Sequence, residues 1–171
     1  MSKNIPEFKI LLPFVIFLLT AFNINAQEYK MKGNEVVFAQ PVVFNNGIGT
    51  LTSENDLVLK VIKKYLDNNP QVSLLRVEAH VDNTGDAKAS QKLAEKMAFS
   101  VSTALINLGI DCKRLIAVSF VTAIQPAKNK TADNKVANAG IIFVNAAVKG
   151  KLIDGKKADG GGKVTIDLCL L

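Results

Sequence analysis

The stretch "HVDNTGDAKASQKLAEKMAFSV" (residues 80–101) contains the signals that decide the fold. It begins at the end of a run (75–81) in which apolar and polar residues alternate, the pattern of a half-buried strand. "DNTGD" (82–86) has the composition of a turn. From about Ala87 to Leu108, apolar residues recur along one stripe of a helix. The stretch therefore predicts a strand that leads Asp82 into a turn, followed at once by an amphipathic helix.

Outside this stretch, strands and helices alternate along the chain. Glu35 to Phe44 is rich in Val and Phe and predicts a strand, with an edge position or a break at Pro41 because proline lacks an amide donor. Ser53 with an acid three residues later predicts the start of the first helix. The other predicted elements are the end of that helix at Leu66, a C-cap at Gly109, strands at 114–121 and 141–148, and a polar loop at 122–139. The order β-α-β-α-β-β predicts an α+β two-layer sandwich, with two helices packed on one face of a mixed sheet.

The first 26 residues have the pattern of a secretory signal peptide. Lys3 and Lys9 precede an apolar run of 13 residues, Ile10 to Phe22, which is shorter than the roughly 20 residues that span a bilayer. Ala26 is a small residue suited to cleavage. We therefore expect a mature chain that begins near Gln27, without a lipoprotein anchor and without a transmembrane segment.

The sequence thus divides into four parts: a signal peptide (1–26), an N-terminal linker (27–34), the α+β domain (35–148) and a Gly/Lys-rich tail (149–171). Three consecutive glycines in the tail argue against a packed element there. The final "KVTIDLCLL" either adds a short strand or stays loose.

Composition and charge exclude some classes of partner. Aromatic residues make up 6% of the chain, there is no Trp, and no block of like charge occurs, so we expect no nucleic-acid binding. The net charge of +6 falls to +5 without residues 1–26. A mildly basic exported domain suits an anionic partner such as cell wall or lipid headgroups, although the charge also serves solubility alone.

Motifs that carry catalysis are missing from the sequence. It has no G-x-S-x-G, H-E-x-x-H or P-loop motif. His80 is the single histidine and has no Cys or acid at metal-ligand spacing, so a structural role is favoured over a titrating ligand. We therefore predict no enzyme, no catalytic residues, no cofactor and no metal.

The span from about Val36 to Val148 resembles the C-terminal OmpA-like periplasmic domain, a family that grips peptidoglycan noncovalently. The segments that carry the resemblance are "VVFNNGIGTLT" (42–52), "YLDNNP" (65–70), "EAHVDNTGDAKASQKLAEKMAFSV" (78–101), "LGIDCKRLIAV" (108–118) and "NKTADNKVANAGIIFV" (129–144). The tail "DGGGKVTIDLC" is similar to a glycine-rich tail on some members. The resemblance implies the same α+β fold and a periplasmic location, with association with the outer membrane left open.

The resemblance also implies a ligand site with two halves. In the family, an Asp at the strand end and an Arg on the following helix clamp the diaminopimelate of the peptidoglycan peptide stem. Asp82 matches the Asp, whereas Met97 occupies the Arg position. Other departures are Ala79 for Gly, Val81 for Thr, Ser90 for Asn, Asn138-Ala139-Gly140 for Asn-Arg-Arg and Ser119-Phe120-Val121 for Gly-Tyr-Gly.

These departures predict a weakened site. The amine of diaminopimelate can still bond Asp82, but its carboxylate needs a cation, for which an Arg fork is best suited. Backbone amides of Asn83, Thr84 and Gly85 can donate to an anion, and Lys96 beside Met97 can supply charge.

Each of these roles has a plainer alternative. Asp82 caps its own turn, Met97 fills the core, and the lysine row (Lys88, Lys92 and Lys96) is a solvated helix face. Two functions therefore stay open: weakened peptidoglycan association, or an interaction module for other envelope proteins.

Two cysteines lie outside the signal peptide, Cys112 and Cys169. Export to an oxidising compartment permits a disulfide, but the sequence does not decide whether the two meet.

Overall fold

The computed structural model describes residues 28–45, 48–83, 85–123 and 139–170. Two helices and seven strands account for the regular structure of these residues. The helices are α1 (Asp56–Asn68) and α2 (Ala87–Asn107). The strands are β1 (Tyr29–Lys32), β2 (Glu35–Phe38), β3 (Val72–Asn83), β4 (Leu115–Ala123), β5 (Ala139–Val148), β6 (Lys151–Leu152) and β7 (Lys163–Val164).

The strands form one mixed sheet in the order β1-β2-β5-β3-β4-β7, with β6 paired to β5. Only the β3–β4 pair is parallel among these strands, and α2 is the crossover that joins them. Both helices pack against the sheet. The predicted α+β class and the two-layer arrangement are therefore confirmed.

The core lies between the helices and β3, as the alternation of that strand predicts. Leu75, Val77, Ala79 and Val81 are all fully buried. Burying one such branched side chain stabilises the fold by about 1.5–3 kcal/mol, so this face alone holds β3 firmly against the helices. Helix α2 ends as predicted, since Gly109 has φ +96° and the Ile110 amide reaches back to the carbonyl of Leu105 at 3.1 Å.

The N-terminal part differs from the prediction. Residues 29–32, assigned to a linker, form β1, which pairs with β2 along its whole length. Strand β2 ends at Phe38, before Pro41, so the predicted strand from Glu35 to Phe44 is too long. The prediction of Ser53 as a helix cap is wrong: a short 3-10 turn (Ser53–Asn55) precedes α1, and no side chain caps either element.

The glycine-rich tail also differs from the prediction, because it packs on the sheet. A side-chain carbon added to Gly162 would come within 2.6 Å of both Val118 and Phe120, so only glycine lets the tail approach β4 this closely. Strand β7, at the start of "KVTIDLCLL", pairs with β4, so the short strand that the sequence left open for this segment is present. Leu168 then enters the core. The structure joins Cys112 to Cys169 by a disulfide, which ties the tail to the turn after α2.

The predicted loop at 122–139 is too long at both ends, since β4 continues to Ala123 and β5 begins at Ala139. The signal peptide, the rest of that loop (124–138, with Asn138) and Thr84 lie outside the described residues. Within the described residues, neither helix is long and apolar enough to span a membrane.

Candidate functional site

The turn between β3 and α2 is built from short polar side chains. The Asp86 carboxylate accepts hydrogen bonds from the amides of Lys88 (2.9 Å) and Ala89 (3.0 Å) and so caps α2. Gly85, at φ +131°, donates its amide to the side-chain oxygen of Asn83 at 3.1 Å. The sequence pattern places Asp86 in the turn, but its role as the N-cap of α2 was not predicted. An Asp just before a helical pattern is the usual signal of such a cap.

The amides of this turn are less available than the sequence predicts. The Gly85 amide already has a partner within the turn, so it is not free to donate to a bound anion. Asp82 and Asn83 are half-buried at the end of β3, and Thr84 between them and Gly85 is not described. The Ser90 hydroxyl donates to the carbonyl of Asp82 at 3.4 Å and ties the first turn of α2 to the strand end.

Met97 lies in the core, as its place on the apolar stripe predicts. Its side chain is 2% exposed. A side-chain carbon added to Gly49 would lie 3.3 Å from Met97 Cγ and 3.3 Å from Leu93 Cδ1, so the loop around Gly49 rests directly on this part of α2. The Ser100 hydroxyl donates to the Gly49 carbonyl at 3.0 Å and holds the loop in place. Met97 therefore makes an apolar contact beneath Gly49.

Asn55 anchors that loop from the other side. It is 1% exposed, and its side-chain oxygen accepts from the amide of Val43 at 2.7 Å. Its side-chain nitrogen donates to the carbonyls of Val43 (2.6 Å) and Thr52 (2.9 Å). This role of Asn55 cannot be read from the sequence, because an Asn within the polar segment "SEND" (53–56) gives the same pattern whether its side chain faces solvent or another segment.

The lysine row (Lys88, Lys92 and Lys96) is exposed along α2. The tail adds Lys163, whose ammonium lies 2.6 Å from a carboxylate oxygen of Glu95. That hydrogen bond lowers the pKa of Glu95 below its ordinary value. Lys163 thus adds one cation beside the lysine row, and the carboxylate of Glu95 pairs with it.

His80 belongs to an ion cluster away from α2. Its Nε2 lies 2.8 Å from Glu78, which also pairs with Arg76, and its ring stacks on Phe120 at 4.7 Å between centroids. Burial alone would raise the pKa of Glu78, but hydrogen bonds from His80 and Arg76, and the charge of Arg76, hold it below its ordinary value. Arg76 also donates to the carbonyl of Ala158, so the cluster fastens the tail to the sheet. In the described part of the chain, no group of His, Cys, Asp or Glu is placed to hold a metal ion.

Comparison with known proteins identifies the domain. The model of the OmpA family matches residues 43–139. The chain is 28% identical over 108 residues to "Probable lipoprotein YiaD" of Escherichia coli K12, covering 62% of this chain and 49% of that protein. It is 35% identical over 82 residues to outer membrane protein Omp38 of Acinetobacter baumannii, covering 47% and 22%. It is 26% identical over 117 residues to outer-membrane lipoprotein YfiB of Pseudomonas aeruginosa, covering 68% and 69%.

Solved structures share the fold. The peptidoglycan-associated lipoprotein of Burkholderia pseudomallei superposes with a TM-score of 0.50 at 22% identity, over 61% of this chain and 91% of that one. An outer membrane protein of Borrelia burgdorferi B31 superposes with a TM-score of 0.51 at 13% identity, over 68% and 94%. At these identities, the likeness concerns the fold alone.

The chain spans about half the length of YiaD and about a fifth of Omp38. The family match itself covers 97 of the 171 residues, from Val43 to Ala139 at the start of β5. This chain therefore belongs to the OmpA family.

Proposed function

We propose that this chain is an exported, non-enzymatic protein of the cell envelope that associates weakly and noncovalently with peptidoglycan through the turn after β3. Membership of the OmpA family supports the proposal, as do relatives named as outer-membrane proteins and lipoproteins. One structural neighbour is named as a peptidoglycan-associated lipoprotein. The proposed location is periplasmic, at the outer membrane.

In this proposal, the two halves of the ligand site are unequal. Asp82, half-buried at the end of β3, receives the ammonium of a diaminopimelate stem. Met97 is 2% exposed beneath Gly49 and offers no cation to the carboxylate of the stem. This observation carries the proposal of weak binding. Lys96 is the neighbouring cation on the exposed side of α2 and takes the place of the arginine. An ammonium is a single point charge and lacks the two-pronged geometry of a guanidinium.

Calorimetric titration of a diaminopimelate-containing peptide tests this arrangement. A lost charge-assisted hydrogen bond is worth about 1.5–3 kcal/mol, so wild-type affinity should be roughly tenfold to a hundredfold below that of an intact site. Lys96→Gln should weaken binding further, while Lys88→Gln, two turns earlier in the same lysine row, serves as the matched control and should change little. Asp82→Ala should abolish binding.

A gain-of-function variant sharpens the test. Met97→Arg should tighten binding if the guanidinium reaches the surface past Gly49, and Asp82→Ala in the same background should remove the gain. The new charge enters a contact closed by the Gly49 loop, so a thermal melt must accompany each titration. Tight wild-type binding that is indifferent to Asp82→Ala would show that this turn is not the site.

The second candidate is an interaction module that binds another envelope protein and no peptidoglycan. It is favoured by the bonded Gly85 amide and the buried Met97, since both remove ligand groups from the site. A pull-down on purified peptidoglycan separates the two candidates. Retention of the wild type and release of the Asp82→Ala variant supports the first, while no retention of either supports the second.

A further inference from the structure

A groove lies between the end of β2 and the outer face of α1, away from the turn after β3. Its volume is about 400 Å³, within the range of sites that hold small ligands. Apolar side chains form most of its walls: Phe38 and Ala39 on one side, and Leu57, Val58 and Val61 on the other. Leu57 is 64% exposed, which is unusual for a leucine and leaves apolar area open to solvent at the mouth.

Lysines stand along one rim of the groove. Lys60 and Lys64 are four residues apart and therefore neighbours on α1, beside Leu57 and Val61, which are also four apart. Lys64 is neutralised by Glu28, whose carboxylate lies 3.0 Å from its ammonium. Lys60 is exposed and forms no ion pair with any residue of the described ranges. The groove thus combines an apolar interior with Lys60 at its mouth, a cation that no carboxylate of the described ranges neutralises.

This chemistry favours an acyl chain over a peptide. An extended peptide in the groove would bury amides and carbonyls that require hydrogen-bond partners. Of the four polar side chains in the lining (Glu28, Gln40, Lys60 and Lys64), Glu28 and Lys64 bond each other, and the amide of Ala39 is already bonded to the carbonyl of Glu28 at 3.0 Å. An acyl chain has no polar groups along its length and needs only one charged contact, at its head.

We propose that this groove binds a single acyl chain and that Lys60 pairs with its anionic headgroup. The site would let the domain contact the lipid of the envelope through α1 and β2. This binding is independent of the turn after β3, so it does not depend on peptidoglycan association.

Dodecanoate, kept below the concentration at which it forms micelles, is the probe. Each methylene buried contributes about 0.8 kcal/mol, or about fourfold in affinity, so dodecanoate should bind roughly fifteenfold more tightly than decanoate. Ala39→Phe places a ring in the groove and should abolish binding, whereas Ala39→Ser adds little volume and should preserve it. Lys60→Gln should weaken binding roughly two- to fivefold, as expected for one exposed charge pair, and Lys92→Gln on α2 should leave it unchanged.

Thermal melts of all four variants show whether each remains folded, so that loss of binding can be assigned to the groove. Dodecanoate binding that is equal in the wild type, Ala39→Phe and Lys60→Gln would place the amphiphile elsewhere and overturn the proposal. The proposal would also be overturned if the wild type bound neither dodecanoate nor decanoate. An acidic leucine-containing helical peptide that binds the wild type but not Ala39→Phe, where dodecanoate does not bind, would assign the groove to a protein partner instead.

Discussion

Breaking the Cys112–Cys169 disulfide should lower the stability of the whole domain. The bond joins residues separated by 57 positions, the turn after α2 and the last turn of the tail. Between these ends the chain passes through β4, β5, β6 and β7, so four of the seven described strands lie inside the closed segment. The bond therefore restricts a large part of the unfolded chain.

The chain-entropy model gives the size of the effect. For a separation of 57 residues, the entropy lost by the unfolded chain is about 14 cal/mol/K, or about 4 kcal/mol at 25 °C. The reduced unfolded chain retains some structure, so the measured loss should lie at or below this value. With marginal stabilities of about 5–15 kcal/mol for natural domains, a loss of this size is large.

Urea unfolding of the oxidised wild type, the reduced wild type and the Cys112→Ser/Cys169→Ser variant measures this loss. The reduced protein and the double variant should agree with each other, and both should unfold at lower urea than the oxidised protein. The double variant must be insensitive to reductant, which controls for direct effects of the reductant on the fold. A loss below about 1 kcal/mol, or two reactive thiols in the native oxidised protein, would refute the reasoning.

Two further predictions concern the sheet face that the tail covers. Gly162→Ala should lower the free energy of unfolding in urea by about 1–3 kcal/mol, because the new methyl group meets two side chains of β4. Gly140→Ala in β5 is the control and should cost less, because nothing lies within 4 Å of the added carbon. Equal losses of stability would contradict the close packing of the tail. Because the pKa of Glu78 is lowered in the folded state, its contribution to stability is present above the pKa of the unfolded chain and is lost as pH falls through the folded pKa. Unfolding of Glu78→Gln between about pH 6 and pH 3 should therefore show a shallower loss of stability than the wild type, and parallel profiles would contradict this role.

Local patterns in the sequence were sufficient for the order of the two helices and of strands β2 to β5, and for much of the core. The alternation along β3 and the stripe on α2 each report which residues face the interior, because side-chain direction follows from the geometry of a strand or a helix. The burial of Met97 follows in the same way. The resemblance to the OmpA family rests on similar local segments, and the family match confirms it.

Contacts between distant segments could not be read from the sequence. Ser53 with an acid three residues later predicts a helix cap, but no side chain caps the helix there. The side chain of the neighbouring Asn55 bonds the backbone of Val43 instead, 12 residues earlier in the chain. Three glycines predict a loose tail, yet Gly162 allows close contact with a strand more than 40 residues earlier.

The sequence by itself determined that α1 and α2 are helices, that β3, β4 and β5 are strands, and which faces of β3 and α2 are apolar. Only the tertiary structure decided that residues 29–32 extend the sheet, that the loop at Gly49 closes over Met97, and that Cys112 meets Cys169. The physical reason is that periodicity acts between neighbours in the chain, whereas pairing, close approach and clefts such as the groove beside α1 depend on how separate elements are brought together in space.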